Sequence, residues 1–404
     1  MGMGEEIPAR AQERPSMARN AVRLLVAPDS FKGSLTADEA ARAMAEGARR
    51  ACPSAHVTLL PVADGGEGTL DAIAASTGAR AVWVEVTSSG GHRKKAYFLA
   101  LPDGTAVIEC AQAVGLPEAM ASGQDVWHRA TWGVGEMIRH ALDLGHRRIA
   151  VTLGGSGTND AGLGMLSALG VQLVDDAGEP VPPVPAAMHR IARADVAGLD
   201  ARLRGVELLA VCDVENPLCG PQGATRVFGP QKGVDAADVE RLDGEIARVA
   251  EICERAMGRL AASLAGAGAA GGLGFALYLL GARRLSGIDF VLDATQFDEH
   301  VRSADLVLTG EGRTDEQTAY GKAVAGVARR AQSHGVPVFC ISGSIGPGAE
   351  ALYDQGVTAL FSITPGPMDL GEALANAPLL LRSAVENAMR AWRAGREGWV
   401  RSNE

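Results

Sequence analysis

Three stretches of this chain carry residue types suited to chemistry at short spacing: residues 64–69 (DGGEGT), 154–160 (GGSGTND) and 310–315 (GEGRTD). Each sets glycines, hydroxyls and carboxylates directly after an apolar run and ahead of a helical pattern. Glycine lets a backbone approach a phosphate, and the N–H groups that open a helix attract an anion. Carboxylates beside such a loop suit Mg²⁺ shared between protein and nucleotide phosphates. One such turn could merely connect two elements, whereas three with acids favour a polyphosphate site. The candidate phosphate contacts are Gly154, Gly155, Ser156, Gly157, Thr158, Asn159, Gly310 and Gly312, and the acids include Asp64, Asp160 and Asp315.

Lysine usage points the same way. The chain has 33 Arg and five Lys, yet three of the five, Lys32, Lys232 and Lys322, lie in glycine-containing loops. A compact ammonium is the group wanted beside a phosphate, so Lys32 and Lys232 are expected to contact one. Asp213 follows the apolar run 206–212; such an Asp can orient an attacking hydroxyl or bind a metal, or simply make an Asx turn ahead of Pro217.

Other chemistries find less support. Residues 266–271 (GAGAAG) fit the dinucleotide-binding glycine pattern, but the residues before them read as helix, not strand. Gly321-Lys322 is followed by Ala323, so no P-loop forms there, and no serine-hydrolase elbow is present. The six cysteines show neither a C-x-x-C pair nor zinc spacing, and read as reduced, mostly buried thiols of a cytoplasmic protein.

The elements that must position these residues alternate between strand and helix at both ends of the chain. Apolar runs at 22–27, 56–62, 305–308, 336–341 and 357–363 are each followed by a polar, glycine-bearing turn and a helical pattern. Thr36 and Glu39 have the spacing of a capping box. This pattern predicts a parallel, doubly wound α/β sheet. Between the two ends, runs at 82–86, 95–101 and 105–109 alternate around hairpin signals, with a helix over 133–144 and strands over 148–153 and 206–212. The expected organisation is a disordered tail over 1–20, a discontinuous Rossmann-like domain from 21–80 and 295–390, an α+β domain inserted at 81–294, and a C-terminal tail over 391–404.

At 404 residues two domains are expected. A net charge of −10 argues against a nucleic-acid partner. Residues 260–282 lack charge and are long enough to span a bilayer, but six are glycine, so a buried loop and helix is expected and no membrane partner.

Taken together, residues 27–41 (APDSFKGSLTADEAA), 61–69 (PVADGGEGT), 154–166 (GGSGTNDAGLGML), 211–233 (VCDVENPLCGPQGATRVFGPQKG), 266–277 (GAGAAGGLGFAL) and 309–322 (TGEGRTDEQTAYGK) resemble the bacterial glycerate kinase family of the glycerate 2-kinase type. The motifs occur in that family's order and span residues 22 to 390. The resemblance implies ATP and Mg²⁺ as nucleotide and metal, D-glycerate as substrate, 2-phosphoglycerate and ADP as products, and a Rossmann-like domain carrying a second α/β domain, as a monomer or homodimer. On that reading Asp64 and Asp213 handle the proton of the attacking hydroxyl, Arg313 holds the glycerate carboxylate, Asp315 and Asp160 hold Mg²⁺, and Lys32 and Lys232 neutralise the transferring phosphoryl group. Phosphorylation at the 3-position, a related hydroxy acid, a nucleotide-independent phosphatase or isomerase, and a non-catalytic metabolite sensor stay open. Two departures from the family pattern, the Pro-rich 179–188 and Trp132, remove no acid or lysine.

Overall fold

The computed structural model describes residues 21–319 and 323–397. The tail over 1–20, Lys322, and residues 398–404 lie outside the described residues. In chain order the strands of the two large sheets are β1 (Arg23–Val26), β2 (His56–Leu59), β3 (Arg80–Thr87), β4 (Arg93–Ala100), β5 (Thr105–Glu109), β6 (Arg148–Thr152), β7 (Glu207–Val211), β8 (Arg283–Leu285), β9 (Leu306–Thr309), β10 (Val338–Ser342) and β11 (Ala359–Ser362). The helices used below are α1 (Ala37–Ala51), α2 (Thr69–Ser76), α3 (Trp132–Asp143), α4 (Val239–Met257), α5 (Leu273–Leu279), α6 (Gly287–Ala294), α7 (Ala323–Ser333), α8 (Leu370–Ala375) and α9 (Ala377–Glu397).

The first sheet is wholly parallel, ordered β11-β10-β9-β1-β2, and draws its strands from both ends of the chain. The second is ordered β8-β7-β6-β5-β4-β3. It is parallel from β8 to β5, and antiparallel across the β3–β4–β5 hairpins.

Period-two alternation builds the layers. Leu24, Val26, Leu306 and Leu308 pack beneath α1 and α9 with Met44 and Leu381. Their neighbours Leu25 and Val307 point to the opposite face, where they meet α2, α6 and α7 through Leu70, Ile288 and Val324. Val107, Ala150, Leu209 and Val211 of the second sheet join that same cluster. The second sheet's other face, with Ile108, Ile149 and Leu208, packs on Met137 of α3, Ile246 of α4 and Phe275 of α5. The two sheets therefore share one helical layer.

Helix α6, placed by sequence inside the insertion ending at 294, packs against α2 and α7 in the shared layer because Ile288, Val291 and Leu292 are apolar on that side. Two expectations need correction. The segment after residue 348 forms one 3₁₀ turn, Ala349–Leu352, rather than a helix; the chain reverses at Gly356 (φ +100°) and enters β11. The tail drawn from 391 is helical to Glu397, where Trp392 packs on the α1 side and Arg393 donates to the Ala51 carbonyl. Residues 260–282 are a loop and the short α5; among the described residues no helix is long and apolar enough to cross a membrane.

Candidate active site

The chain runs from β1 outward to β2, then returns to the other side of β1 as β9. Crevices outside the carboxyl ends of strands at such a reversal are where α/β sheets bind ligands. Asp29 follows β1, and its N–H donates to the Gly310 carbonyl after β9 (2.9 Å). Three glycines let the loops meet. A Cβ on Gly310 would lie 1.8 Å from the Ile341 carbonyl oxygen, one on Gly343 2.3 Å from that of Gly312, and one on Gly312 3.2 Å from the Lys32 nitrogen. Gly310 and Gly312 thus serve loop packing.

A cavity of about 700 Å³ opens there, lined by Asp29, Lys32, Asp64, Glu311, Arg313 and Asp315 among others. Phe31, 1% exposed, anchors the 29–35 loop, and Gly33 at φ +83° turns it so that Lys32 is exposed. Desolvation, reinforced by the charges of Asp64 and Glu311, pushes the Asp29 carboxyl up to about 7. Asp64 Oδ1 accepts from the Gly66 N–H (3.1 Å) in an Asx turn. Glu311 Oε1 accepts from the hydroxyls of Thr318 (2.7 Å) and Thr314 (3.2 Å). Arg313 Nε lies 3.0 Å from Asp315 Oδ2.

Asp213 stands beside this group. Its Oδ1 accepts from the Gly287 N–H (2.9 Å) at the start of α6. Desolvation, with a contribution from Asp64, raises its carboxyl above the usual range. Asp64 and Asp213 are further tied through Gly287, whose Cβ would lie 1.9 Å from the Asp64 carbonyl oxygen.

The 154–160 loop is placed differently from the expectation. Ser156, Thr158, Asn159 and Asp160 are buried, and neither cavity at the switch point is lined by the loop. Lys232, 3% exposed, donates from Nζ to Ser156 Oγ (3.0 Å) and the Thr158 carbonyl (2.8 Å), and burial lowers its ammonium to about 8. Gly157 packs on Ala119, and Gly154 on Gly66. Asn159 Nδ2 donates to Thr225 Oγ1 (2.9 Å). Asp160 accepts from the Thr131 N–H and hydroxyl and from the N–H groups of Gly162 and Gly164, and burial raises its carboxyl. These groups brace a loop; Gly155 alone in it is exposed. Asp160, expected as a metal ligand, anchors the loop here, and Lys232, expected at a phosphate, braces it from within.

Sequence reasoning passed over Asp29, Glu311, Glu109 and Arg129. Asp29 and Glu311 carried a signal, as the first acids after two apolar strands. Arg129, whose guanidinium donates to the carbonyls of Gln124 (2.9 Å), Gly157 (3.2 Å) and Lys232 (3.0 Å), carried none.

Mg²⁺ in phosphate-transferring sites is held by one or two carboxylates together with substrate phosphates. Asp29, desolvated and repelled by two other acids, is the kind of group a dication would relieve, so the residues fit such an ion. Among the described residues no group of three or more His, Cys, Asp or Glu side chains gathers as an all-protein metal cage.

A doubly wound α/β sheet whose strand reversal presents acids, a lysine and an arginine to an open cavity is the architecture of a small-ligand site in an α/β protein. The chain belongs to the glycerate kinase family, whose model matches residues 24–393. It is 46% identical to the glycerate kinase of Bacillus subtilis (strain 168) over 88% of this chain and 94% of that one. It is 40% identical to the glycerate 2-kinase of Escherichia coli (strain K12) over 92% and 96% of the two chains. A crystal structure described as glycerate kinase 2 from Salmonella typhimurium LT2 superimposes with a TM-score of 0.83 at 42% identity, covering 94% of this chain and all of that one.

Proposed function

We propose that this protein transfers the γ-phosphoryl group of ATP to the C2 hydroxyl of D-glycerate, giving 2-phosphoglycerate and ADP. The observation that carries the site assignment is the cavity at the β1/β9 reversal, where Asp29, Asp64 and Glu311 converge beside Lys32 and Arg313. Asp64 accepts the proton as the hydroxyl oxygen bonds to phosphorus and the bond to the ADP oxygen breaks. Asp213 stands near Asp64, and desolvation together with the Asp64 charge raises the Asp213 carboxyl, so that it supports Asp64 in handling that proton. Lys32 neutralises the transferring group, and Arg313 holds the glycerate carboxylate, which would draw it from Asp315. Positioning and charge stabilisation of this kind supply most of the catalysis in phosphoryl transfer. Asp29 and Asp315 would hold Mg²⁺, which when bound neutralises the nucleotide phosphates. The working organisation is a discontinuous α/β unit with an insertion, acting in the cytoplasm as a monomer or homodimer.

The test is turnover with Mg-ATP and D-glycerate, with the product read by phosphorus NMR. Phosphate on C2 is expected. Phosphate on C3 would overturn the regiochemistry, and absence of ATP-dependent product from folded protein would overturn the assignment.

A further inference from the structure

The cavity at the strand reversal has two unlike halves. One carries the acids, Lys32 and Arg313. The other is an apolar shelf made by Ile363, Pro367, Met368, Leu370, Leu374 and Ala377. Most of the shelf lies in the segment between β11 and α9. Helix α8 in that segment has no buried residue, and Leu370 and Leu374, spaced i,i+4, are 71% and 38% exposed. They line the same space as Asp29 and Lys32, which makes the patch part of a ligand cavity rather than a scatter of surface leucines.

Of the two substrates in the reaction proposed above, only one has broad apolar surface to bury. Each carbon of glycerate bears oxygen. The base of the nucleotide is a flat, largely apolar ring, and its phosphates must still reach Lys32 and the acids.

The second cavity at the reversal, about 710 Å³, shares Asp29, Ser30, Lys32 and Ser34 with the first. Its remaining wall carries five further acids, Asp38, Glu39, Glu67, Asp71 and Glu109, and no second cation, so it is the less favourable of the two for a polyphosphate. The second cavity sets apolar residues such as Leu35, Val62 and Tyr97 beside Lys32, whereas the first sets its shelf beside both Lys32 and Arg313.

We propose that the shelf formed by Ile363, Met368, Leu370 and Leu374 seats the purine base of the nucleotide co-substrate, so that the nucleotide is held by the unit containing the first sheet. This rests on the phosphoryl-transfer reading. Truncating both leucines removes apolar cover from the base and leaves the phosphate contacts untouched.

The experiment is calorimetric binding of Mg-ADP and of inorganic Mg-diphosphate to the full-length wild-type protein and to the Leu370→Ala/Leu374→Ala variant. Both leucines are exposed, so the variant is expected to keep the wild-type melting temperature. ADP should bind about tenfold more weakly to the variant, equivalent to about 1.4 kcal/mol. Diphosphate should bind equally to both proteins, and the KM for ATP should rise while that for glycerate stays within about twofold. Equal ADP affinity in the two proteins, or equal weakening of ADP and diphosphate, would overturn the shelf while leaving the kinase assignment intact. Failure of the wild-type protein to bind ADP would overturn both.

Discussion

Asp29 is held where its charge is disfavoured, by desolvation first and then by Asp64 and Glu311. Its carboxyl titrates at about 7 in the folded chain, against an ordinary value of 3.8. The folded state therefore binds the proton more tightly. The resulting stability is fully present below about pH 4 and is lost as pH rises through about 7. Asp29→Asn has no such loss. It should match the wild type in urea denaturation at pH 4 and exceed it at pH 8, while kcat falls by roughly 10²- to 10³-fold. A variant no more stable than wild type at pH 8 would count against the strain. Lys232 yields the opposite kind of prediction. Its partners are a hydroxyl and a carbonyl, so Lys232→Met should cost roughly 1–3 kcal/mol of stability, with ADP affinity unchanged in a binding titration. A large loss of ADP affinity would restore the phosphate contact expected from sequence. The two roles look alike in sequence for a physical reason: a lysine that satisfies buried oxygens and one that meets phosphate both want a glycine-bearing loop, and burial distinguishes them.

At the scale of elements, much was legible. The Thr36/Glu39 capping box forms as its spacing predicts, and the helical pattern expected after the 305–308 run and its turn forms α7. Apolar runs became strands because alternate residues feed the two faces of each sheet, and the hairpins followed their turn residues. What local sequence could not show is how one element caps another from a distance. Glu109, at the end of β5 and 3% exposed, accepts from the N–H groups of Leu70 (3.2 Å) and Gly68 (3.4 Å), which open α2. Gly68 has no side chain to cap that helix, and 41 residues separate it from Glu109. Tyr97 of β4 adds a second tie, its hydroxyl donating to Asp71 of α2 (2.9 Å). Because α2 follows directly from the Asp64 turn, Glu109 is a positioning residue. Glu109→Ala should lower stability by about 1–2 kcal/mol and reduce kcat more than it changes KM. Glu109→Gln keeps an acceptor oxygen and should recover most of both in chemical denaturation and steady-state assays; equal loss in the two variants would contradict the capping role.

Across the molecule the two large sheets share a helical layer, and the Asp64 turn lies where their backbones touch. That contact is made by glycines. A Cβ on Gly154, at the end of the second sheet's β6, would lie 2.3 Å from Gly66 Cα, and one on Gly65 would lie 2.8 Å from Gly287 Cα. The sequence made Gly65, Gly66 and Gly154 conspicuous but suggested phosphate as the reason, because close approach to a ligand and close approach to another backbone make the same demand. The two roles separate experimentally. If Gly154 lines a phosphate, Gly154→Ala should weaken ADP binding. If it is a seam between the sheets, the added methyl pushes on the 64–66 turn, where no flexible side chain can yield, and shifts Asp64 relative to Lys32 and Arg313. A displacement of about 1 Å costs on the order of 10²-fold in rate. The expected outcome is that Gly154→Ala loses roughly that factor in kcat, melts at a lower temperature, and binds Mg-ADP with wild-type affinity. Gly287→Ala, whose Cβ would lie 1.9 Å from the Asp64 carbonyl oxygen, should show the same signature from the opposite side of the turn. Concordance of the two variants would locate catalytic alignment in the packing between the sheets. Loss of ADP binding in Gly154→Ala alone would return that loop to the nucleotide.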